Sequence, residues 1–297
     1  MTRQRVARTA AAPLAAHRTY DAVAEEAAGL VIRRYSTSFG LASRLLGPSV
    51  RRHVRNVYAL VRVADEIVDA PRPDGTTQSQ RETLGELEQE TCRALASGHS
   101  GNLVVHAFVR TARATGIDED LVAPFFESMR ADLTEVEHDR ASFERYVYGS
   151  AEVVGLMCLR AFLAGRPDAE ATYAELAPGA RRLGAAFQKL NFLRDLGADF
   201  EALGRSYFPG VEPALLTSHQ RDLLLDDIDA DLAAARRSLE RLPPSSRRAV
   251  RVAHGLFQEL SRRLRATPPR QLLRTRVRVP DGVKARIVLT SVARRRR

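Results

Sequence analysis

The sequence predicts an all-α protein folded as a single domain of about ten helices. Three observations support this. Of its 297 residues, 44 % are hydrophobic and only 6 % aromatic, with Ala and Leu abundant and Gly and Pro modest at 18 and 14. Apolar positions recur at helical spacing, and no stretch alternates polar and apolar residues as a half-buried strand would. No repeat of fixed period and no compositional shift marks a linker, so the length is read as one large core.

Residues 1–20 carry Arg and Ala without a clear period and are expected to be a loose lead-in. A helical pattern runs from Asp21 to Tyr35, where Ser36-Thr-Ser38-Phe39-Gly40 breaks it, because hydroxyls and Gly favour caps and turns. After Gly47-Pro48, Ser49 is a natural cap for a helix reaching Asp69, which Pro71 and Pro73 end. A loop over 71–80 is followed by helices over 81–96, 102–115 and 119–137. Ser142 caps the next, which runs to Leu163 and contains Gly149, Ser150, Ala151 and Gly155. Small residues inside a helix cost about 1 kcal/mol per Gly unless something approaches closely there. Helices over 179–203, 218–242 and 245–266 complete the series, the last two split by Pro243-Pro244. The domain is placed at 21–290, with 291–297 a basic tail.

The formal charge is +10, but it is unevenly placed. Residues 262–297 hold 13 Arg or Lys against one acid, Asp281, leaving 33 bases against 35 acids elsewhere. The basicity therefore belongs to one end, which argues against nucleic acid as the partner and leaves peripheral attachment to anionic lipid through the Arg-rich C-terminal end. The two cysteines, Cys92 and Cys158, have no partner at metal or disulfide spacing. With no run of 18 apolar residues and no cleavable leader, the expected location is the cytoplasm, peripheral on the inner membrane surface if the basic end engages it.

Two acid stripes carry the chemistry. At about 100° per residue, Gln188, Asn191, Asp195 and Asp199 share one face of their helix, while Leu190, Leu193, Leu196 and Phe200 fill the rest. A helix apolar over most of its circumference is expected to be buried, and buried carboxylates persist only when paired or bound to a cation. On the 49–69 helix, Asp65 and Asp69 lie at i and i+4 with Tyr58 and Arg62 beside them, at the dipole end that disfavours acids. Glu66 falls off that stripe. Two such helices facing one another suit Mg²⁺, which takes one or two carboxylates and completes its octahedron with water and phosphate oxygens. No His at ligand spacing supports a di-iron centre.

The segments Tyr35-Ser36-Thr-Ser38-Phe39, Asp65-Glu-Ile-Val-Asp69, Tyr146-Val-Tyr-Gly-Ser-Ala-Glu-Val-Val-Gly155, Gln188-x-x-Asn191-x-x-Arg194-Asp195-x-x-x-Asp199 and Arg205-Ser-Tyr207-Phe-Pro209 resemble, in order and spacing, the phytoene/squalene synthase family. Asn102-Leu-Val-Val-His-Ala-Phe108 and Ser128-Met-Arg-Ala-Asp132 add to a likeness with bacterial phytoene synthases.

The resemblance implies an isoprenoid-synthase fold around a central cavity and head-to-head condensation of two prenyl diphosphates through a cyclopropyl diphosphate. It implies that Asp65, Asp69, Asn191, Asp195 and Asp199 hold two or three Mg²⁺ ions, with Mn²⁺ as a substitute. Ser36, Ser38, Arg62, Gln188, Arg194, Arg205 and Tyr207 would meet diphosphate oxygens or order the ions, and Tyr146 would act beside the reacting carbons. Two departures stand out: Glu66 replaces a frequent Asp, and Glu152 replaces a frequent Gly. The preferred reading is geranylgeranyl diphosphate converted to phytoene without NADPH. The alternative is a squalene or dehydrosqualene synthase using farnesyl diphosphate. A terpene cyclase and a non-catalytic helical binding protein are weaker alternatives.

Overall fold

The computed structural model describes residues 3–36, 38–69 and 75–293, with side chains at 3–16, 38–39, 202–203 and 292–293 left aside. Among the described residues there is no strand; an isolated bridge pairs Glu137 with Ser206. The chain runs through α1 (Arg3–Tyr35), α2 (Ser38–Ser43), α3 (Pro48–Asp69), α4 (Thr77–Ser97), α5 (Leu103–Thr115), α6 (Glu119–Ala131), α7 (Arg140–Val147), α8 (Val153–Leu163), α9 (Ala169–Leu203), α10 (Ser218–Leu239), α11 (Pro244–Ala266), α12 (Pro269–Leu272) and α13 (Asp281–Ala293).

Several boundaries move for identifiable reasons. Helix α1 begins at Arg3, within the expected lead-in, where an Ala-rich run has the highest intrinsic helix propensity. Helix α4 starts at Thr77 because Thr76 and Ser79 form a reciprocal capping box inside what reads as loop. Helix α6 ends at Ala131, six residues early, and the chain turns so that Asp132 faces inward. Asp139, not Ser142, caps α7, its carboxylate accepting from Ser142 N at 2.7 Å. Helix α9 begins at Ala169 and carries Pro178 in its interior. In the basic end α12 and α13 form, and the four residues after 293, within the expected basic tail, lie outside the described ones.

The expected small-residue helix over 142–163 is a continuous helical run interrupted by a π turn at Tyr148–Glu152. Its glycines mark close crossings. A Cβ on Gly149 would lie 2.0 Å from the Pro124 carbonyl oxygen on α6, and one on Gly155 would lie 2.6 Å from that of Ala180 on α9. Arg140–Leu163 is long and apolar enough to cross a membrane by composition, yet more than half of its most apolar window is buried inside the fold.

The core fills the space between α3–α6 and α8 with Leu60, Leu84, Phe108, Phe125, Phe126 and Met157. A second cluster joins α7, α9 and α10 through Tyr146, Leu190, Leu193, Phe192 and Leu225. Helix α9 is buried at Leu190, Leu193 and Leu196 as its pattern requires; Phe200, expected with them, is exposed. Cys92 and Cys158 are free, and burial pushes the Cys158 thiol up to about 12, as expected of an inert core residue.

Candidate active site

Arg205 holds Asp69 at the end of one acid stripe, and its charge reaches Asp199 of the other. This guanidinium, 7 % exposed, lies in the connector after α9 and donates from Nη1 to Asp69 Oδ1 at the end of α3 at 2.7 Å. From Nη2 it donates to the carbonyl oxygens of Asp132 (2.8 Å) and Val68 (3.4 Å), and its Nη1 stands 3.7 Å from Asp132 Oδ1. A buried guanidinium is stable only when its donors are matched, and here backbone and carboxylate acceptors match them. Tyr207, two residues on, places its hydroxyl 3.4 Å from Arg205 Nη1 and stacks on Phe192 of α9 with centroids 4.0 Å apart.

Tyr146, 5 % exposed on α7, donates its hydroxyl to Asp132 Oδ1 at 2.7 Å and stacks beside Phe192 and Tyr207. Burial above all, then the Asp132 charge, holds its phenol well above the usual range, so it stays protonated. Asp132 is raised to about 7, chiefly by burial, against the opposing pull of Arg205 and the Tyr146 hydrogen bond. The sequence reading gave this residue no role. Its signal was available, because Asp132 shares a helix face with Phe125 and Ser128, both buried.

Asp65 is raised to about 8 by burial first, then by Asp69, with Arg62 opposing and Asp132 adding. About a third of its side chain (32 %) is accessible, with Arg62 Nη1 at 3.9 Å. Asp199 is raised to about 6 by burial, then by Asp195 on its own helix and Asp69 on α3. Asp199 on α9 thus feels the charge of Asp69 on α3. Asp195 is engaged differently: Arg194 Nε donates to it at 3.0 Å, and Arg276 Nε, from the segment between α12 and α13, pairs with it at 2.7 Å. Sequence reading missed Arg276, because nothing local announces a contact 81 residues away.

Other expected residues fall around this centre. Arg62 lies over the Tyr35 ring at 4.7 Å and pairs with Glu66, the acid read as off the stripe, more closely than with Asp65 at 3.9 Å. Ser36 shares a side-chain hydrogen bond with Tyr58. The Ser38 side chain lies outside the described residues. Gln188 and Asn191 are half-buried on α9. Glu152 is tied to Arg181 of α9 at 2.6 Å, so its charge is neutralised within the helix pair. Two surface hollows, of about 510 Å³ beside Ser97 and Arg113 and about 210 Å³ beside Gly116 and Arg160, contain none of these groups.

Among the described residues, no three His, Cys, Asp or Glu side chains converge closely enough to hold an ion on their own. The donor set is entirely oxygen, and the charge of Asp69 on α3 helps to raise the pKa of Asp199 on α9. Both features fit a hard cation that binds one or two carboxylates per ion and draws its remaining ligands from water and phosphate.

The profile of the squalene/phytoene synthase family matches residues 32–282. A phytoene synthase from Pseudescherichia vulneris is 25 % identical over 254 residues, covering 78 % of this chain and 79 % of that protein. A 15-cis-phytoene synthase from Pantoea ananas is 32 % identical over 59 % of this chain and 56 % of its own length. Among solved structures, a dehydrosqualene synthase superposes with a TM-score of 0.78 at 21 % identity over 95 % of this chain and 98 % of that one. A squalene synthase from Alicyclobacillus acidocaldarius does so at 0.69 and 21 %, over 82 % and 95 %. With its isoprenoid-synthase fold and a profile match over most of its length, the chain belongs to the squalene/phytoene synthase family.

Proposed function

We propose that this protein joins two geranylgeranyl diphosphates head-to-head to form phytoene, through a cyclopropyl diphosphate and with loss of two diphosphates, in carotenoid synthesis. The observation that carries the reading is the Asp69–Arg205 ion pair, with Asp199 of α9 within reach of both charges, in a chain whose curated relatives include phytoene synthases. The dehydrosqualene and squalene synthases of the same fold favour a second reading, with farnesyl diphosphate as substrate.

Asp65, Asp69, Asn191, Asp195 and Asp199 would hold two or three Mg²⁺ ions, for which Mn²⁺ could substitute. Bound there, the ions would neutralise charge on the departing diphosphate. Arg62, Arg194 and Arg205 would present guanidinium forks to phosphate oxygens, assisted by Gln188, Ser36, Ser38 and the Tyr207 hydroxyl. Since Arg194 and Arg205 are paired with Asp195 and Asp69 beforehand, each would exchange a carboxylate partner for a phosphoryl one as substrate enters. Tyr146, kept neutral and fixed by Asp132, would offer its ring face to the allylic cation. The stacked rings of Phe192 and Tyr207 would help exclude water that could quench that cation. We infer a cytoplasmic enzyme that touches the inner membrane surface through its basic C-terminal end, since substrate and product are both greasy.

Purified protein incubated with geranylgeranyl or farnesyl diphosphate and Mg²⁺, with and without NADPH, tests the assignment by the mass of the hydrocarbon formed. A forty-carbon product that forms without NADPH is expected. A thirty-carbon product overturns the phytoene reading, and no hydrocarbon from either substrate overturns both.

A further inference from the structure

Away from the acid cleft, the facing surfaces of α1 and α3 gather positive charge without a counter-charge. Arg33 lies near the end of α1, Arg44 just past α2, and Arg51 and Arg55 one turn apart on α3. A Cβ built on Gly29 would meet Arg33 Nη1 at 3.3 Å and Arg55 Nη1 at 4.0 Å, which puts the two guanidinium groups at most about 7 Å apart, where like charges repel. Arg51 Nη2 donates to the carbonyl oxygens of Arg44 and Leu46, both at 2.8 Å, and so is pinned between them. Of the acids of α1, Asp21 pairs with His106 and Arg110 and Glu25 with Arg52 and Arg110, while Glu26, exposed two turns before Arg33, is not among the charges that act on Arg55. Among the described residues none of the four arginines makes an ion pair, and the Nε atoms of Arg51 and Arg55 are buried without a hydrogen-bond partner.

Such a cluster lacks an anion that offers several oxygens to several forks at once, and a phosphoryl group has that shape. We propose that Arg33, Arg44, Arg51 and Arg55 form a second anion site, distinct from the acid cleft, that takes a phosphate-bearing group. Burial and the charges of Arg51, Arg33 and Arg44 depress the Arg55 pKa, the signature of a guanidinium missing its counter-ion. Arg33 and Arg44 are exposed, so the group arrives from solvent or from a membrane surface. On the same helix face Arg62 stands seven residues, about 10 Å, beyond Arg55, which sets the cluster apart from the cleft. Leu30, exposed at 49 % on α1 three residues before Arg33, offers an apolar contact near the cluster. The proposal does not depend on the catalytic assignment.

The test compares wild type, Arg44→Gln/Arg55→Gln and, as a charge-matched control, Arg236→Gln/Arg237→Gln on the exposed face of α10. Inorganic diphosphate is titrated calorimetrically in EDTA, so that the acid cleft has no cation. Separately, the proteins are sedimented with phosphatidylcholine vesicles with and without phosphatidylglycerol. The expected result is that wild type and control bind at least one probe, with affinity lower by about tenfold or more in Arg44→Gln/Arg55→Gln. A loss in Arg44→Gln/Arg55→Gln confined to diphosphate identifies a free phosphate as the source, and a loss of anionic-vesicle binding in that variant identifies a lipid headgroup. As an independent readout, phosphate should raise the wild-type Tm more than chloride at equal ionic strength, and this gap should vanish in Arg44→Gln/Arg55→Gln. If wild type binds neither probe, or the control loses as much as the cluster variant, the site does not exist.

Discussion

Replacing Asp132 by Asn separates two roles that the structure assigns to one carboxyl. Its side chain is 6 % exposed, accepts the Tyr146 hydroxyl at 2.7 Å and lies 3.7 Å from Arg205, while burial lifts its pKa from 3.8 to about 7. A carboxyl with a raised folded pKa keeps its proton in the native state after the unfolded chain has lost it. The native state is therefore favoured at low pH and loses stability as pH rises from about 4 through 7. A shift of three units corresponds to about 4 kcal/mol at most, since each unit is about 1.4 kcal/mol and relaxation around the charge reduces it. Asn keeps the shape and cannot ionise, so the variant should gain on wild type as pH rises. For a chain of this size that gain is at most about 5–8 °C in Tm between pH 4.5 and 8. Thermal unfolding of both proteins in EDTA across that range reads the difference directly. Turnover should move the other way, falling by about tenfold or more as Tyr146 and Arg205 lose a charged anchor. A Tm difference that stays constant with pH, or that favours wild type increasingly at high pH, would refute the reasoning.

Two further changes probe the cleft and its cover. Asp195→Asn should cut turnover by about a hundredfold or more while leaving the helical circular-dichroism signal unchanged, because the side chain serves the site and not the core; unchanged turnover removes Asp195 from the list of metal-binding residues. Gly197→Ala would place a Cβ 2.1 Å from the Leu273 carbonyl oxygen, and backbone there cannot yield cheaply. We expect a loss of about 2–3 kcal/mol, read as a lower denaturation midpoint, together with weaker seating of Arg276 on Asp195.

Much of the site was legible because its chemistry is periodic. Asp65 and Asp69, and Asn191, Asp195 and Asp199, are each a helical stripe, and a stripe can be read from one helix at a time. What escaped lay in relations between elements. Arg276 reaches Asp195 from a segment after α12 that carries no pattern of its own, and the bridging role of Arg205 depends on a backbone carbonyl of Asp132. Glu66, set apart from Asp65 by the wheel, pairs with Arg62 one turn before it, a contact the stripe reading did not draw. The π turn at Tyr148–Glu152 was visible only as a puzzle of small residues, whose solution is the backbone of α6 pressed against Gly149.

The central claim is that α3 and α9 form the two jaws of one metal-assisted diphosphate clamp. Calorimetric binding of a non-ionising thiodiphosphate analogue of geranylgeranyl diphosphate tests it most directly, with Mg²⁺ and in EDTA, on wild type, Asp69→Asn and Asp199→Asn. The account predicts that Mg²⁺ tightens wild-type binding by about tenfold or more and that each substitution, on either jaw, removes that gain. Equal wild-type binding in Mg²⁺ and EDTA, or a full Mg²⁺ effect surviving in either variant, would contradict it.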